Sequence, residues 1–265
     1  MNARIDADGM SYEEAMSGKI RPLKALRAFR RLAADKDDTG QVVVFKNALD
    51  GPWYETLFEE FKADPEGARI LARGTDVFDV IKDEAYLKGL PEGSLGREFY
   101  EQMRAEGISP QGFRDVNKDG QDFSEFRPEL RLVHQRHEDI HDLLHALVGW
   151  GRDILGELCI LEYQGIQYRS RGLRLLSYFG AAEAKRRVPS SPVFACIREA
   201  TRIARSMRWM LTYDWEANLH RPMEDVRRET GVTPPTRYLA IRDEWIRHDA
   251  DMRDVAAAKK AAAAA

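Results

Sequence analysis

Residues 137–145 read His-Glu-Asp-Ile-His-Asp-Leu-Leu-His, and the interpretation of the whole chain starts from this stretch. His137, His141 and His145 stand four residues apart, and at about 3.6 residues per turn such a row follows one face of a helix. Two neighbouring histidines of the row can hold one metal ion, and a carboxylate follows at Glu157. The stretch therefore predicts a metal-binding helix.

The first of two overlapping metal-binding motifs is His137-Glu138-x-x-His141, which has the spacing of a zinc metallopeptidase helix. In such enzymes the two histidines hold the ion and the glutamate acts as general base. Glu162 lies 21 residues after His141, close to where one class of these peptidases has its third ligand. A zinc peptidase is therefore one interpretation of this helix.

The second motif is His141-Asp142-x-x-His145, followed after eleven further residues by Glu157. A glycine-containing turn at 149–151 lets the chain reverse, which brings Glu157 near the end of the histidine helix. This placement favours the second motif. Spacing alone nevertheless leaves both motifs open, together with a solvated stripe of histidine and glutamate that binds nothing.

The composition is that of an ordinary soluble globular protein. Of 265 residues, 43% are hydrophobic and 32% are charged, and 41 basic against 44 acidic residues give a formal net charge of -3. This balance argues against a nucleic-acid partner. We expect neither a secretory signal nor a membrane span, which needs about 18 apolar residues in a row. Cys159 and Cys196 lie in apolar stretches and are interpreted as reduced core residues, which favours a cytoplasmic location.

Apolar residues at helical spacing predict a mostly helical chain. We expect one domain over residues 1–250 and an alanine-rich tail, frayed or disordered, over 251–265. The only strand-like run is QVVVFK at 41–46, which can equally continue into a helix. The longest expected helices are 20–34, 130–148, 153–168, 171–186 and 192–215.

Several separate segments resemble the coenzyme Q (ubiquinone) biosynthesis protein 4 family. Residues 135–145 and 155–158 match its HDxxH motif, the eleven-residue spacer and the glutamate that follows. The run DPEGARIL at 64–71 is similar to its DPEGRRIL-type helix start, and LPEGSLGREF at 90–99 is similar to its LPxGTLGREY element. Trp215-Glu216 and the block up to 235 resemble its C-terminal WExxL...REELGI-PP segment.

The resemblance covers residues 20–240, and its motifs occur in the order that the family has them. One departure falls on the metal helix itself. The family more often has Tyr-Arg-Glu before the His-Asp pair, whereas in this chain His137 and Glu138 create the overlap with the peptidase motif. The stretch 180–195 also looks individual. These departures bear on substrate details more than on metal binding.

The resemblance implies an all-α, single-domain multi-helix bundle with the metal site between two consecutive core helices. It implies that His141, Asp142, His145 and Glu157 are both the metal ligands and the catalytic residues. The metal of this family is usually taken as zinc. Two histidines with two carboxylates also suit Fe²⁺ or Mn²⁺, and Zn²⁺ has no redox chemistry of its own.

The implied activity is oxidative decarboxylation at C1 of a polyprenylated 4-hydroxybenzoate-derived precursor, the polyprenylated benzoquinone precursor of ubiquinone. The family is also described as organising the other ubiquinone biosynthesis proteins at the membrane surface. A non-catalytic lipid-binding scaffold is therefore the alternative to a decarboxylase. A homo-oligomer is a further possibility.

A polyprenyl substrate requires an apolar groove and access to a bilayer surface. Eight apolar residues could line the groove, or could be ordinary core: Leu173, Leu175, Leu176, Tyr178, Phe179, Met207, Met210 and Leu211. In the segment 20–34, Leu23, Leu26 and Phe29 form an apolar stripe that favours core packing, with membrane contact as the alternative. Its cations are the best candidates for peripheral membrane attachment: Lys24, Arg27, Arg30 and Arg31.

Overall fold

The regular secondary structure is helical in every part of the chain that the computed structural model describes, namely residues 12–34, 38, 40–107 and 125–251. No β-strand occurs in these ranges, where an isolated bridge between Ser94 and Pro222 is the only β-type pairing. The predicted all-α bundle is therefore confirmed. The predicted alanine-rich tail lies, from residue 252 onward, outside the described residues.

The N-terminal helices are α1 (Tyr12–Met16), α2 (Pro22–Ala34), α3 (Gly40–Asp50), α4 (Trp53–Ala63), α5 (Pro65–Arg73), α6 (Val77–Ile81), α7 (Glu84–Gly89) and α8 (Leu95–Glu106). The later helices are α9 (Pro128–Val148), α10 (Ile154–Gln167), α11 (Arg171–Arg187), α12 (Val193–Ser206), a 3₁₀ turn (Met210–Thr212), α13 (Trp215–Asn218), α14 (Met223–Thr230) and α15 (Thr236–Leu239). Residues 242–251 are also helical.

Most of the expected helices agree with the structure. The predictions 130–148, 153–168 and 171–186 differ from α9, α10 and α11 by at most two residues at either end. The strand-like run at 41–46 lies inside α3, which packs against both α2 and α11. Burial between two helices outweighs the strand preference of its valines, because strand propensity depends strongly on packing.

The predicted helix 192–215 is wrong in its second half, because α12 ends at Ser206. At this point the Gln167 side chain forms hydrogen bonds with backbone groups that a continuing helix would pair with each other. Its Nε2 donates to the Ala204 carbonyl at 2.7 Å, and its Oε1 accepts from the Met210 backbone N–H at 3.1 Å. A side chain from α10 thus caps the end of α12, which the local sequence does not predict.

The DPEG motif is a helix start in the structure. The Asp64 side chain accepts hydrogen bonds from the backbone N–H groups of Glu66 and Gly67 at the first turn of α5. Gly67 lies against α4, where a Cβ atom would come within 2.0 Å of the Phe61 carbonyl oxygen. The motif therefore fixes the tight junction between α4 and α5.

The LPEGSLGREF motif pairs with the C-terminal block that the sequence resemblance also singled out. The backbone N–H groups of Leu95 and Gly96 donate to the carbonyls of Arg221 and Leu219 at 2.9 and 2.8 Å. Met223 donates back to Gly93 at 2.8 Å. Two motifs about 125 residues apart in the chain are thus hydrogen-bonded to each other at the starts of α8 and α14.

A buried ion pair joins Arg136 of α9 to Glu216 of α13, and both residues lie in segments that resemble the family. The Arg136 guanidinium is 1% exposed and bonds both carboxylate oxygens of Glu216, at 2.7 and 3.1 Å. It also donates to the carbonyls of Leu211 and Tyr213 at 3.0 and 2.6 Å. Arg136 therefore holds α9 against the segment from the 3₁₀ turn to α13.

The apolar core is continuous across both halves of the described chain. Trp150, Trp215 and Trp245 are among its largest fully buried side chains. Cys159 and Cys196 are also buried and unpaired, which agrees with their interpretation as core residues. Burial disfavours the charged thiolate and raises the pKa of the Cys196 thiol to about 11.

Candidate metal centre

The histidines of the candidate centre lie in the second half of α9. His145 is fully buried and His141 almost so. The helix begins with a proline at its first turn, Pro128, and ends at Gly149, whose φ of 91° lies in the left-handed region that favours glycine. The chain can therefore turn immediately into the segment that leads to α10.

Glu157 reaches the histidines because α10 begins only a short turn after α9. The Asp153 side chain caps α10 by accepting hydrogen bonds from the backbone N–H groups of Leu155 and Gly156, both at 3.1 Å. Gly156 lies so close to the preceding turn that a Cβ atom would come within 2.0 Å of the Gly151 carbonyl oxygen. A larger residue there would push the first turn of α10, and Glu157 with it, away from α9.

Three side chains converge on one point. The Nε2 atoms of His141 and His145 lie 3.1 Å apart, and Oε2 of Glu157 lies 3.4 and 3.5 Å from them. A tetrahedral zinc shell with bonds of about 2.0–2.2 Å places neighbouring ligand atoms roughly 3.3–3.6 Å apart. Within the described residues, this is the group of histidine, cysteine and acidic side chains whose spacing could hold a metal ion.

The outward-facing nitrogens of both imidazoles are already engaged. Nδ1 of His145 lies 3.1 Å from the Trp150 carbonyl oxygen, and Nδ1 of His141 lies 3.2 Å from Oε1 of Gln164. Because a carbonyl oxygen only accepts, each Nδ1 carries a proton. Nε2 of each ring therefore faces the group and can bind a cation once it is unprotonated. This is the usual outer arrangement of metal-binding histidines.

The charges of the group also suit a cation. Although burial opposes it, the two imidazoles hold the pKa of the Glu157 carboxyl well below its usual range. Burial likewise opposes charge on His141, but the neighbouring Glu157 carboxylate raises the pKa of that imidazole. Glu157 is therefore ionised at neutral pH and offers a negative ligand beside two nitrogen ligands.

Asp142, the fourth predicted ligand, lies outside this convergent group. Its carboxylate is buried and forms a hydrogen-bonded ion pair with Nη1 of Arg152. Arg152 belongs to the turn between α9 and α10 and also lies near Glu157. The structure therefore brings together three of the four predicted ligands and pairs the fourth with an arginine.

The peptidase arrangement is not assembled among the described residues. The His137 ring packs edge-on against Trp53 and Tyr168, at centroid distances of 5.3 and 4.6 Å, and neither of its nitrogens has a hydrogen-bond partner. Burial lowers the pKa of His137 to about 4. Its Nδ1 lies 3.8 Å from Oε1 of Glu138, which is beyond hydrogen-bonding distance.

Glu162, the third ligand required by a peptidase, is committed elsewhere. It is fully buried, accepts a hydrogen bond from the Thr201 hydroxyl at 2.7 Å and pairs with Arg174 at 3.3 Å. Its carboxylate therefore belongs to the contact of α10 with α11 and α12. His141 is shared by both motifs, and the structure groups it with His145 and Glu157.

The apolar residues predicted for a lipid groove divide into two sets. Leu175, Tyr178 and Phe179 of α11 are 42%, 37% and 46% exposed. The other five are core residues: Leu173, Leu176, Met207, Met210 and Leu211. A cavity of about 640 Å³ adjoins the exposed set and is lined by residues of the α10–α11 junction that include Ile166, Leu175 and Tyr178. Of the eight residues predicted for the groove, only the three on α11 are exposed.

Helix α2 exposes two of the three residues in the stripe that the sequence favoured as core, whereas Phe29 packs against Phe45 and Phe179. Leu23 and Leu26 are 72% and 44% exposed, whereas the smaller Ala25 and Ala28 face the interior. Arg27 and Arg30 lie on the same face as these leucines, three to four residues apart. No helix in the described ranges is long and apolar enough to span a bilayer.

Two residues of the centre escaped the sequence analysis. Gln164 lies seven residues after Glu157, which is two helical turns, so the period of α10 could have indicated it. Arg152 precedes the helix in an irregular turn, and no periodic pattern points to its partner Asp142. Both are recognised only once α9 and α10 are packed together.

Comparisons with known proteins agree with the resemblance that the sequence motifs indicate. The family model described as "Coenzyme Q (ubiquinone) biosynthesis protein Coq4" matches residues 22–236. A rat protein named "Ubiquinone biosynthesis protein COQ4 homolog, mitochondrial" is 29% identical over 186 residues, which are 69% of this chain and 67% of the rat protein. The human protein of that name is 28% identical over 188 residues, 70% of this chain and 68% of its own. The match thus spans about two thirds of these relatives.

A solved structure has the same fold. The crystal structure of a candidate ubiquinone biosynthesis protein from Nostoc punctiforme matches with a TM-score of 0.60 at 18% identity, covering 81% of this chain and 100% of that one. The family model extends from the start of α2 to the start of α15 and includes all residues of the candidate metal centre. The chain therefore belongs to the coenzyme Q (ubiquinone) biosynthesis protein Coq4 family.

Proposed function

We propose that this protein acts in ubiquinone biosynthesis as a metal-dependent C1 decarboxylase of a polyprenylated 4-hydroxybenzoate-derived precursor at the membrane surface. Family membership supports the pathway. The observation that carries the enzymatic part is the convergence of His141, His145 and Glu157, whose ligand atoms lie 3.1 to 3.5 Å apart.

The proposed ligands are His141, His145 and Glu157, with Asp142 as the fourth once it leaves Arg152. Zn²⁺ is the first candidate, because nitrogen and carboxylate ligands at tetrahedral spacing suit it; Fe²⁺ and Mn²⁺ are the alternatives. When bound, the ion supplies Lewis-acid chemistry at a ring hydroxylate or carboxylate of the substrate. Gln164 and the Trp150 carbonyl hold the two imidazoles in the orientation that binding requires.

The proposed reaction is an oxidative decarboxylation. The bond between C1 and the carboxylate breaks, carbon dioxide leaves, and O₂ supplies the oxygen atom that C1 gains. A reductant of the nicotinamide or ascorbate class supplies two electrons, which with two protons convert the second oxygen atom of O₂ to water. The half-buried Glu157 leaves one side of the centre accessible to the aromatic ring.

The polyprenyl tail is proposed to lie along the exposed part of α11. Leu175, Tyr178 and Phe179 offer apolar surface, and the adjoining cavity of about 640 Å³ has the volume of a ligand site. The cavity is lined at one end by Gly165 and Ile166 of α10, the helix that also carries Glu157.

Helix α2 is proposed as the membrane contact. Its exposed face combines Leu23 and Leu26 with the cations Arg27 and Arg30, and such a face lies well at the boundary between headgroups and acyl chains. Lys24 is partly engaged, since its ammonium pairs with Glu14. The peripheral attachment would let the protein collect an insoluble substrate from a bilayer.

Reversing the four cations of α2 to glutamate (Lys24, Arg27, Arg30 and Arg31) should abolish flotation of the protein with anionic liposomes. Each cation near an anionic surface contributes about 1 kcal/mol, so four reversals remove more than the attachment requires. The matched control reverses four exposed cations on other helices, Lys62, Arg69, Lys82 and Arg228. Flotation that survives in the α2 variant, or disappears equally in the control, would remove α2 from the proposal.

Turnover is tested with the purified protein loaded in turn with Zn²⁺, Fe²⁺ and Mn²⁺. Each sample receives a prenylated 4-hydroxybenzoate-type substrate, O₂ and the reductant, and the product is measured by mass. We expect loss of the carboxylate only in metal-loaded protein, and none in Glu157→Ala. If no metal supports turnover while the protein still binds the prenylated ligand, the lipid-binding scaffold that organises the other ubiquinone biosynthesis proteins is the better account.

A further inference from the structure

Arg152 lies among three carboxylates at the edge of the metal centre. Its Nη1 is hydrogen-bonded to Oδ1 of Asp142, and its Nε lies 3.6 Å from Oε2 of Glu106 and 4.0 Å from Oε1 of Glu157. The guanidinium side chain is 25% exposed, whereas the Asp142 side chain is only 6% exposed. The arginine therefore closes one side of the centre and pairs with a buried carboxylate.

Asp142 can leave this arginine only for another cation. A buried carboxylate without a positive partner or hydrogen bonds is strongly unfavourable, and breaking one side of a buried pair leaves an uncompensated charge. The nearest position for a second cation is the point between His141, His145 and Glu157. Asp142 is linked to this group through Arg152, whose Nε lies 4.0 Å from Oε1 of Glu157.

We propose that Arg152 is a positioning residue that competes with the metal ion for Asp142 and thereby sets the metal affinity of the centre. This inference rests on the proposed metal site. Without the ion, Arg152 holds Asp142 and neutralises part of the acidic cluster. When the ion is bound, Asp142 becomes the fourth ligand. The Arg152 guanidinium then keeps its ion pair with Glu106.

Competition of this kind has a measurable sign. The positive charge of Arg152 disfavours a divalent ion a few ångströms away, and its bond to Asp142 withholds a ligand. Both effects weaken metal binding, and both disappear when the side chain is neutral. Removing a unit charge next to a divalent ion is expected to change the dissociation constant by about tenfold or more.

The test is a titration of metal-free protein with Zn²⁺ alone, in competition with a chromophoric chelator at fixed pH and salt. Arg152→Gln should bind Zn²⁺ about tenfold or more tightly than the unsubstituted protein. Arg152→Met serves in its place if the glutamine variant does not fold. The matched control is Arg127→Gln, which removes an arginine paired with Glu55 at 2.9 Å at the start of α9, and the affinity of this variant should not change.

A double-mutant cycle separates the withheld ligand from the general field of the charge. The gain from Arg152→Gln in the unsubstituted protein is compared with its gain in an Asp142→Asn background, where only the field of the charge remains, so the second gain should be clearly smaller. Equal gains in the two backgrounds would overturn the proposal, because Arg152 would then act without Asp142. An unchanged affinity in both Arg152 variants would overturn it as well.

Failure of the proposed metal site gives a different result. In that case the unsubstituted protein, Arg152→Gln and Arg127→Gln all fail to compete with the chelator for Zn²⁺. If the unsubstituted protein binds Zn²⁺ but Arg152→Gln binds it no more tightly, the metal site stands and the role of Arg152 is rejected. The two failures are therefore distinguishable in one set of titrations.

Discussion

His145→Ala and Glu157→Ala should each lose most of the bound metal, with zinc affinity lower by at least about 100-fold. Each substitution removes one of three ligand atoms that lie 3.1 to 3.5 Å apart. Outer partners of metal ligands alone contribute about 10–100-fold to affinity, so a direct ligand should contribute more. The measurement is zinc content after dialysis against a weak chelator, together with a competition titration.

The control for these variants is His137→Ala, on the same helix. His137 packs between Trp53 and Tyr168 and takes no part in the convergent group, so its removal should leave the metal content unchanged. His141 belongs to both motifs, and its variant does not discriminate between them. Metal retained in His145→Ala but lost in His137→Ala would reject the present assignment and restore the peptidase motif.

Arg136→Met should destabilise the protein by about 3–5 kcal/mol, the cost of removing one partner of a buried ion pair. The substitution removes both hydrogen bonds to the Glu216 carboxylate, whose remaining contact with a cation is Arg73 at 3.7 Å, and it removes the Arg136 bond to the Leu211 carbonyl. The free energy of unfolding in urea, measured at one pH and with the chelator present, gives the change directly. The loss follows from breaking the buried ion pair between α9 and α13.

An exposed arginine pair is the control for Arg136. Arg228 pairs with Asp225 at 2.9 Å on α14, but both side chains are largely exposed. Arg228→Met should therefore change the unfolding free energy by no more than about 0.5 kcal/mol. Adding Glu216→Leu to Arg136→Met should recover part of the loss, because the second change removes the uncompensated charge. A loss below about 1 kcal/mol in Arg136→Met would show that the buried pair contributes little.

The local part of the metal centre could be predicted from the sequence. Histidines four residues apart share a helix face in any tertiary structure. Because the turn at 149–151 is short, α10 must begin near the end of α9. Glu157 in the first turn of α10 is therefore close to His145 by chain connectivity alone. Three of the expected ligands meet for this reason.

The environment of Asp142 could not be predicted in the same way. Spacing places its backbone beside the ligands, but the choice between an ion and Arg152 depends on side-chain competition across a turn. The end of α12 failed for a similar reason, since the cap comes from Gln167 on another helix. Long-range contacts of this type leave no periodic signal in the sequence.

Helix α2 illustrates a third limit. Leu23, Leu26 and Phe29 have the spacing of a buried stripe, yet the two leucines face outward and Ala25 and Ala28 face α3. Periodicity identifies an apolar face, but it does not identify what covers that face. Close packing against a neighbouring helix selects small residues, which leaves the larger ones free for a lipid or protein surface.

An anomalous difference map from crystals of protein purified without added metal tests the central claim most directly. Data collected on both sides of the zinc, iron and manganese absorption edges would identify the element as well as its position. The account predicts one peak at about 2.0–2.2 Å from Nε2 of His141, Nε2 of His145 and a carboxylate oxygen of Glu157. A peak bound by His137 and His141 instead, or no peak in crystals soaked with zinc, would contradict it.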